Sequence, residues 1–228
     1  MTSRASLHEL GQKHGTDKWD HNHSFRGESY LHVYERYLAS RRDEPLTFLE
    51  LGVKSGASLR MWKEYFPRAE IHGVDLNPDC ARHAEDRISV HIVSQDDAEA
   101  LRALAASTGG FDVVLDDCSH INVLTLASLD LLLPHVRPGG LYIVEDLGMS
   151  WIDYGEVEDP TTFMNGELAM NVARGIDAEQ TRDPVSDRFE QILFEMDMYT
   201  GDIRFLHFWP NIAIAQVAPR WMDVTGPG

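Results

Sequence analysis

Apolar positions recur with a helical period over the first forty residues of this chain and with shorter periods afterwards. Tyr30, Val33, Tyr34, Tyr37 and Leu38 fall on one helical face, and the spacing predicts helices over roughly 5–13 and 28–40 around a polar, histidine-rich turn. Short apolar runs then alternate with helical patterns. They predict strands near 46–51, 70–75, 88–93, 111–116 and 139–145, and helices near 57–66, 79–86, 96–107 and 122–135. Such alternation makes a parallel sheet covered by helices on both faces. Residues 202–218 read as two further strands joined near Pro210-Asn211. The expected fold is therefore a doubly wound α/β domain with seven strands, mostly parallel, closed by a C-terminal antiparallel hairpin. Residues 147–200 break the rhythm, with Trp151, Tyr154, Phe163, Met164, Met170, Met196 and Met198 set among many acids. They follow a strand's carboxyl end, where ligands bind in open α/β sheets. The segment reads either as a lid over a substrate or as a surface insertion docked on the sheet.

The composition narrows the partners. The length of 228 residues is enough for one domain with a buried core; 1–42 would form a helical cap on it and 147–200 the substrate segment. Twenty basic residues against 37 acidic ones leave a net charge of −17, which disfavours nucleic acid and anionic membrane surfaces. No apolar run approaches the ~18 residues of a membrane helix, and the first ten residues carry no apolar signal core. A cytoplasmic protein is expected. Cys80 and Cys118 are too few for a disulfide framework and lack C-x-x-C spacing.

Candidate chemistry clusters where strands end. F-L-E-L-G-V-K-S-G-A-S-L (48–59) runs from a strand through a glycine turn into a helix, and the next strand ends in Asp75. A glycine turn followed by an acid at the end of the next strand is how a βαβ unit holds a ribose-bearing cofactor. Gly52 and Gly56 are expected to let backbone approach that ligand. Pyrophosphate-binding G-x-G-x-x-G is absent; E-x-G-x-x-x-G resembles the class I S-adenosylmethionine-dependent methyltransferases instead. Glu50, Gly52, Ser58, Asp75 and Asp116 form the expected cofactor set. The fourth strand ends in Asp116-Asp117-Cys118-Ser119-His120 and the fifth in Glu145-Asp146. In a parallel sheet these open onto one crevice. Clustered carboxylates repel unless something positive sits between them. Asp117, Glu145 and Asp146 suit a hard divalent ion such as Mg²⁺, and His120 lies close enough to reach a substrate hydroxyl.

Five segments together resemble the metal-dependent sugar O-methyltransferases of antibiotic biosynthesis, the mycinamicin and tylosin types among them. They are G-T-D-K-W (15–19), Y-E-R-Y-L (34–38), L-E-L-G-V-K-S-G-A-S-L-R-M-W-K-E-Y-F-P (49–67), L-D-D-C-S-H-I-N (115–122) and V-R-P-G-G-L-Y-I-V-E-D (136–146). The resemblance implies methyl transfer from S-adenosylmethionine to a small-molecule glycoside, with Mg²⁺ on Asp117, Glu145 and Asp146, His120 as general base, and an assembly of several copies. It also implies that Gln95 meets the adenine, through a loose match at 94–97, and that Asp17 and Lys18 help close the site by pairing with charges there. Cys118 stands where the family has glycine.

Other readings stay open. Asp75 can cap a helix before Pro78, Asp117 can cap the helix from Ile121 with His120 merely packed, and Glu145-Asp146 can be solvated loop charges. His14, His21 and His23 read as a polar loop rather than a zinc site, because no acid or thiol stands at metal spacing. Catechol-type methyltransferases also chelate a diol on Mg²⁺ but use a lysine base near the fourth strand; here no lysine follows Lys63, so a sugar is favoured. A cofactor-binding protein without catalysis is the remaining alternative.

Overall fold

The computed structural model describes residues 4–20, 27–158, 167–177 and 180–218. His21, His23, Phe163 and Met164 lie outside them. Strands β1 (Thr47–Leu51), β2 (Glu70–Asp75), β3 (Ile88–Ile92), β4 (Phe111–Asp116), β5 (Val136–Val144), β6 (Ile203–Trp209) and β7 (Ile212–Val217) form one seven-stranded sheet in the order β3-β2-β1-β4-β5-β7-β6. The first five are parallel, while β7 runs antiparallel to β5 and β6 to β7. The strand order reverses between β1 and β4, so a crevice opens at their carboxyl ends. This is the fold expected from the sequence.

The two-residue period of each strand divides the core. Phe48, Val113, Leu115 and Ile143 face one layer, built by α1 (Leu7–His14), α2 (Tyr30–Leu38) and α3 (Ala57–Tyr65). Leu49, Leu51, Val114, Tyr142 and Val144 face the other, built by α4 (Ala98–Thr108), α5 (Asn122–Leu132) and α7 (Asp183–Asp197). Helix α1 is held at both ends: Ser6 and Glu9 form a capping box, and Gly15, at φ 72°, closes the last turn.

Two expectations need correction. The helix near 79–86 is a 3₁₀ turn, Pro78–His83, capped by Asn77; with proline at its first position and few residues before β3 it does not continue. The fifth strand starts at Val136, not 139, and passes Pro138 where its register against β4 shifts between Phe111 and Val113. Segment 147–200 divides in two. Helix α7 buries Val185, Phe189 and Ile192 against the sheet, while Met149, Tyr154 and Leu168, the last on α6 (Glu167–Ala173), pack with Ile121 and Leu124 over the start of α5. Among the described residues, no helix is long and apolar enough to cross a membrane.

Candidate functional site

The glycine turn after β1 is bound to the strand ends beside it. Gly52 N–H donates to Val74 O at 2.8 Å, and Asp117 N–H donates to Leu51 O at 3.0 Å. Gly52 has φ 95°, and a Cβ there would sit 2.0 Å from the Asp117 carbonyl oxygen; one on Gly56 would sit 2.7 Å from the His83 ring. The glycines thus let protein segments approach each other closely at this turn, and Gly52 also borders the cavity beside it. Asp75 ends β2 and ties the turn down: Oδ2 accepts from Val53 N–H and Lys54 N–H at 2.9 and 3.0 Å, and Oδ1 from Asn77 N–H at 2.8 Å. Asn77, not Asp75, caps the following turn.

A cavity of about 450 Å³ lies over these strand ends. Gly52, Ser58, Asp75 and Gln95 border it together with Asp117, His120, Glu145 and Asp146; Met149, Met170 and Asn171 border it from segment 147–177. Gln95 is buried, accepts from Ser119 N–H at 3.1 Å, and keeps its Nε2 donor without a hydrogen-bond partner. Lys54, His120 and Asp146, all on the cavity wall, have positive φ angles of 50°, 55° and 54°. Non-glycine residues in this region carry strain that surrounding structure must hold, and such residues concentrate at functional sites.

Strand alternation sorts the acids. Glu50, Glu145 and Asp117 follow the parity of Phe48, Ile143 and Leu115 and point toward the α1–α3 layer. Asp116 has the opposite parity and points toward α5, where it takes the Ser128 hydroxyl and, at 3.4 Å, the Tyr142 hydroxyl. Burial raises its pKa to about 6. Its carboxylate is thus engaged within the α5 layer, by Ser128 and Tyr142. Glu50 is likewise fully buried off the cavity, accepts from Trp62 Nε1 at 3.1 Å, and burial lifts it to about 7 against the pull of Lys18.

Lys18 is the residue whose weight the sequence did not reveal. It follows α1 in the turn Asp17–Trp19 and is only 2% exposed. Its Nζ contacts Asp117 Oδ2, Glu145 Oε2 at 2.9 Å and Glu50 Oε1 at 3.4 Å. Burial alone would lower its pKa, but the charges of Asp117, Glu145 and Glu50 outweigh that and hold it well above the ordinary lysine value. The positive group expected among the acids is thus already present as an ammonium. Neighbouring Asp17 pairs with Lys54 at 3.0 Å, so both charge pairings expected of that motif form. Lys18 also corrects the premise that no lysine lies near the fourth strand; this one arrives from the N-terminal layer.

Two tyrosines complete the arrangement. Tyr34 donates to Glu145 Oε1 at 2.7 Å, and Tyr30 to Asp146 Oδ1 at 2.6 Å. Each glutamate oxygen thus accepts from one protein donor, Tyr34 on Oε1 and Lys18 on Oε2. The outer oxygens, Asp117 Oδ1 and Asp146 Oδ2, face His120 Nε2 at 3.8 and 3.7 Å. Ligand atoms of these three residues all lie within 4.8 Å of one another, close enough to share one ion. Tyr30 and Tyr34 were legible only as an apolar helical stripe; nothing in the sequence marked their hydroxyls.

The chain is similar to known proteins. Residues 49–147 match a family described as a methyltransferase domain. The chain is 36% identical over 216 residues to the 8-demethyl-8-alpha-L-rhamnosyl tetracenomycin-C 2'-O-methyltransferase of Streptomyces olivaceus, covering 91% of this chain and 53% of that protein. It is 37% identical over 192 residues to the mycinamicin VI 2''-O-methyltransferase of Micromonospora griseorubida, covering 81% and 46%. The chain thus spans about half the length of the curated relatives it matches. Among solved structures it resembles the MycE methyltransferase in complex with Mg and SAH, with a TM-score of 0.73, 28% identity, and coverage of 100% of this chain and 58% of that one.

Proposed function

We propose that this chain, similar in fold and sequence to class I methyltransferases and to the sugar O-methyltransferases of antibiotic biosynthesis, transfers a methyl group from S-adenosylmethionine to a sugar hydroxyl of a small-molecule glycoside. The observation that carries this reading is that Asp117, His120 and Asp146 meet on the wall of the cavity that Asp75 and Gln95 also border. The protein groups fit the cofactor. Gln95 Nε2 is a buried donor awaiting an acceptor, in keeping with the adenine. A carboxylate has about four acceptor positions, so Asp75 retains capacity for ribose hydroxyls beside its three backbone donors.

The donor set also fits Mg²⁺. Asp117 Oδ1 and Asp146 Oδ2 would hold it, since hard ions prefer oxygen; His120 Nε2 beside them is then kept for proton transfer, and Glu145 serves as a buried counter-ion. When bound, the ion polarises a sugar hydroxyl and makes its proton easier to remove. His120 takes that proton at Nε2. The hydroxyl oxygen forms the new C–O bond while the methyl–sulfur bond breaks and its electron pair stays on sulfur. Lys18 does not serve as the base, because its ammonium is held protonated among three carboxylates; this argues against the catechol-type alternative. Homo-oligomer formation belongs to the same reading, supported by the exposed Phe194, Met198, Tyr199 and Phe208.

Methyl transfer to rhamnosyl and related deoxysugar glycosides, followed by mass spectrometry, tests the assignment. Turnover is expected with Mg²⁺ and not in excess EDTA. Asp117→Asn and Asp146→Asn should lose most activity yet bind S-adenosylhomocysteine. His120→Ala should lower kcat by about 10²–10⁴-fold, the usual contribution of a positioned base. Full activity in EDTA would remove the metal from the mechanism, and a folded His120→Ala enzyme with near-normal kcat would move the base elsewhere.

A further inference from the structure

We propose that Lys18 is a positioning residue for the metal-binding carboxylates: by holding the inner oxygens of Asp117 and Glu145, it turns Asp117 Oδ1 toward Asp146 Oδ2 and His120 Nε2. The inference rests on the metal reading given above. Three observations support it.

First, the contact is selective. Lys18 Nζ meets Asp117 at Oδ2, while the other oxygen of the same carboxylate faces His120 at 3.8 Å. Tyr30 does the same to Asp146, donating to Oδ1 while Oδ2 faces His120 at 3.7 Å. The two carboxylates are therefore turned in a matching sense by two donors from the N-terminal layer. Second, Lys18 is itself anchored. Glu145 grips its ammonium at 2.9 Å and is gripped in turn by Tyr34 at 2.7 Å. Gly11 lets this layer close up, since a Cβ there would meet Leu31 Cδ1 at 2.2 Å and Trp19 Cβ at 3.2 Å. Third, stability alone gives little reason for such a residue. Taking an ammonium and its partner carboxylates out of water is expensive, and well-packed hydrophobic residues of similar volume are often as stable or more so. A lysine kept at 2% exposure on the wall of the cavity points to a role in orienting what it touches. Outer-shell partners of this kind typically change metal affinity by about 10–100-fold when removed.

The test titrates Mn²⁺ alone, and separately S-adenosylhomocysteine, into the full chain by calorimetry. Wild type is compared with Lys18→Met, Lys18→Met/Glu145→Gln and Asp117→Asn. The double variant removes one charge of each sign, so it keeps the local balance if the single variant does not fold. A folded lysine variant should bind Mn²⁺ at least about tenfold more weakly, within the range for outer-shell groups, with S-adenosylhomocysteine affinity close to wild type. A purely structural lysine would instead lower both affinities together with stability. Unchanged Mn²⁺ affinity in a folded lysine variant would overturn the proposal. Tighter Mn²⁺ binding would also overturn it, since the ammonium would then merely repel the ion. Failure of both lysine variants to fold would assign Lys18 to the fold and likewise overturn the positioning role. The metal reading fails separately, and takes this proposal with it, if wild type binds no Mn²⁺; it fails too if Asp117→Asn binds Mn²⁺ as tightly as wild type.

Discussion

Asp117 divides its carboxylate between two tasks, one oxygen on Lys18 and the other toward His120, so small displacements of its backbone should matter. Gly52 controls that backbone. Its φ of 95° is strained for any side chain, and the Cβ of an alanine would lie 2.0 Å from the Asp117 carbonyl oxygen. Gly52→Ala is therefore expected to destabilise by more than the ~1 kcal/mol of an incompatible φ alone, and to lower turnover even where the protein still folds. Chemical denaturation and a kcat measurement check this; wild-type values for both would show that the turn yields easily. Asp75 tests the opposite end of the cavity. Charged hydrogen bonds contribute about 1.5–3 kcal/mol each, so Asp75→Ala should weaken S-adenosylhomocysteine binding by tenfold or more, part of it through the lost anchors to Val53 and Lys54. Unchanged affinity in a folded variant would remove Asp75 from the cofactor site.

At the scale of elements, helix α7 decides between two readings of segment 147–200. Its Phe189 is 7% exposed, packs against Phe208 with ring centres 5.1 Å apart, and belongs to the core shared with β7. A helix that completes the layer on the sheet should behave as core. Phe189→Ala is expected to destabilise by about 3–5 kcal/mol with little change in KM for the acceptor. A lid would give the reverse: a small stability change and a raised KM. Helix α6 is different, since Met170 and Asn171 border the cavity and Arg174 ties the helix to Asp96 at 2.8 Å, beside Gln95.

For the whole molecule, the pH dependence of stability has an identifiable contributor. His72 on β2 and His91 on β3 stack with ring centres 5.4 Å apart and Nδ1–Nε2 at 3.2 Å. Burial, and for His72 the neighbouring imidazole, lowers both pKa values. A histidine whose folded pKa is depressed contributes stability above its unfolded value of about 6.5, and loses it as pH falls toward the folded value. The melting temperature should therefore drop between about pH 7 and 5, and His72→Val should flatten that drop. A variant with the wild-type slope would place the acid sensitivity elsewhere, for instance in the many carboxylates behind the −17 charge.

How much of this was written in the chain follows from the range of the forces involved. Local periodicity determined the five parallel strands, the closing hairpin and most helices, because a two-residue or 3.6-residue apolar repeat depends only on neighbours. It also placed Asp75, Asp117, His120 and Asp146 at strand ends, and so on one rim of the sheet. The sequence did not say which helical layer covers which face. Only that choice brings Lys18, Tyr30 and Tyr34, up to 127 residues distant in the chain, onto Asp117, Glu145 and Asp146. Parity then turns Asp116 toward α5 and Glu50 toward Trp62, though both sit in motifs that read as cofactor-binding. Glu145 and Asp146 are adjacent residues with different fates, one a buried counter-ion and the other facing His120. That difference comes from the donors packed against each carboxylate, and such donors are assembled by tertiary packing rather than by neighbours in sequence.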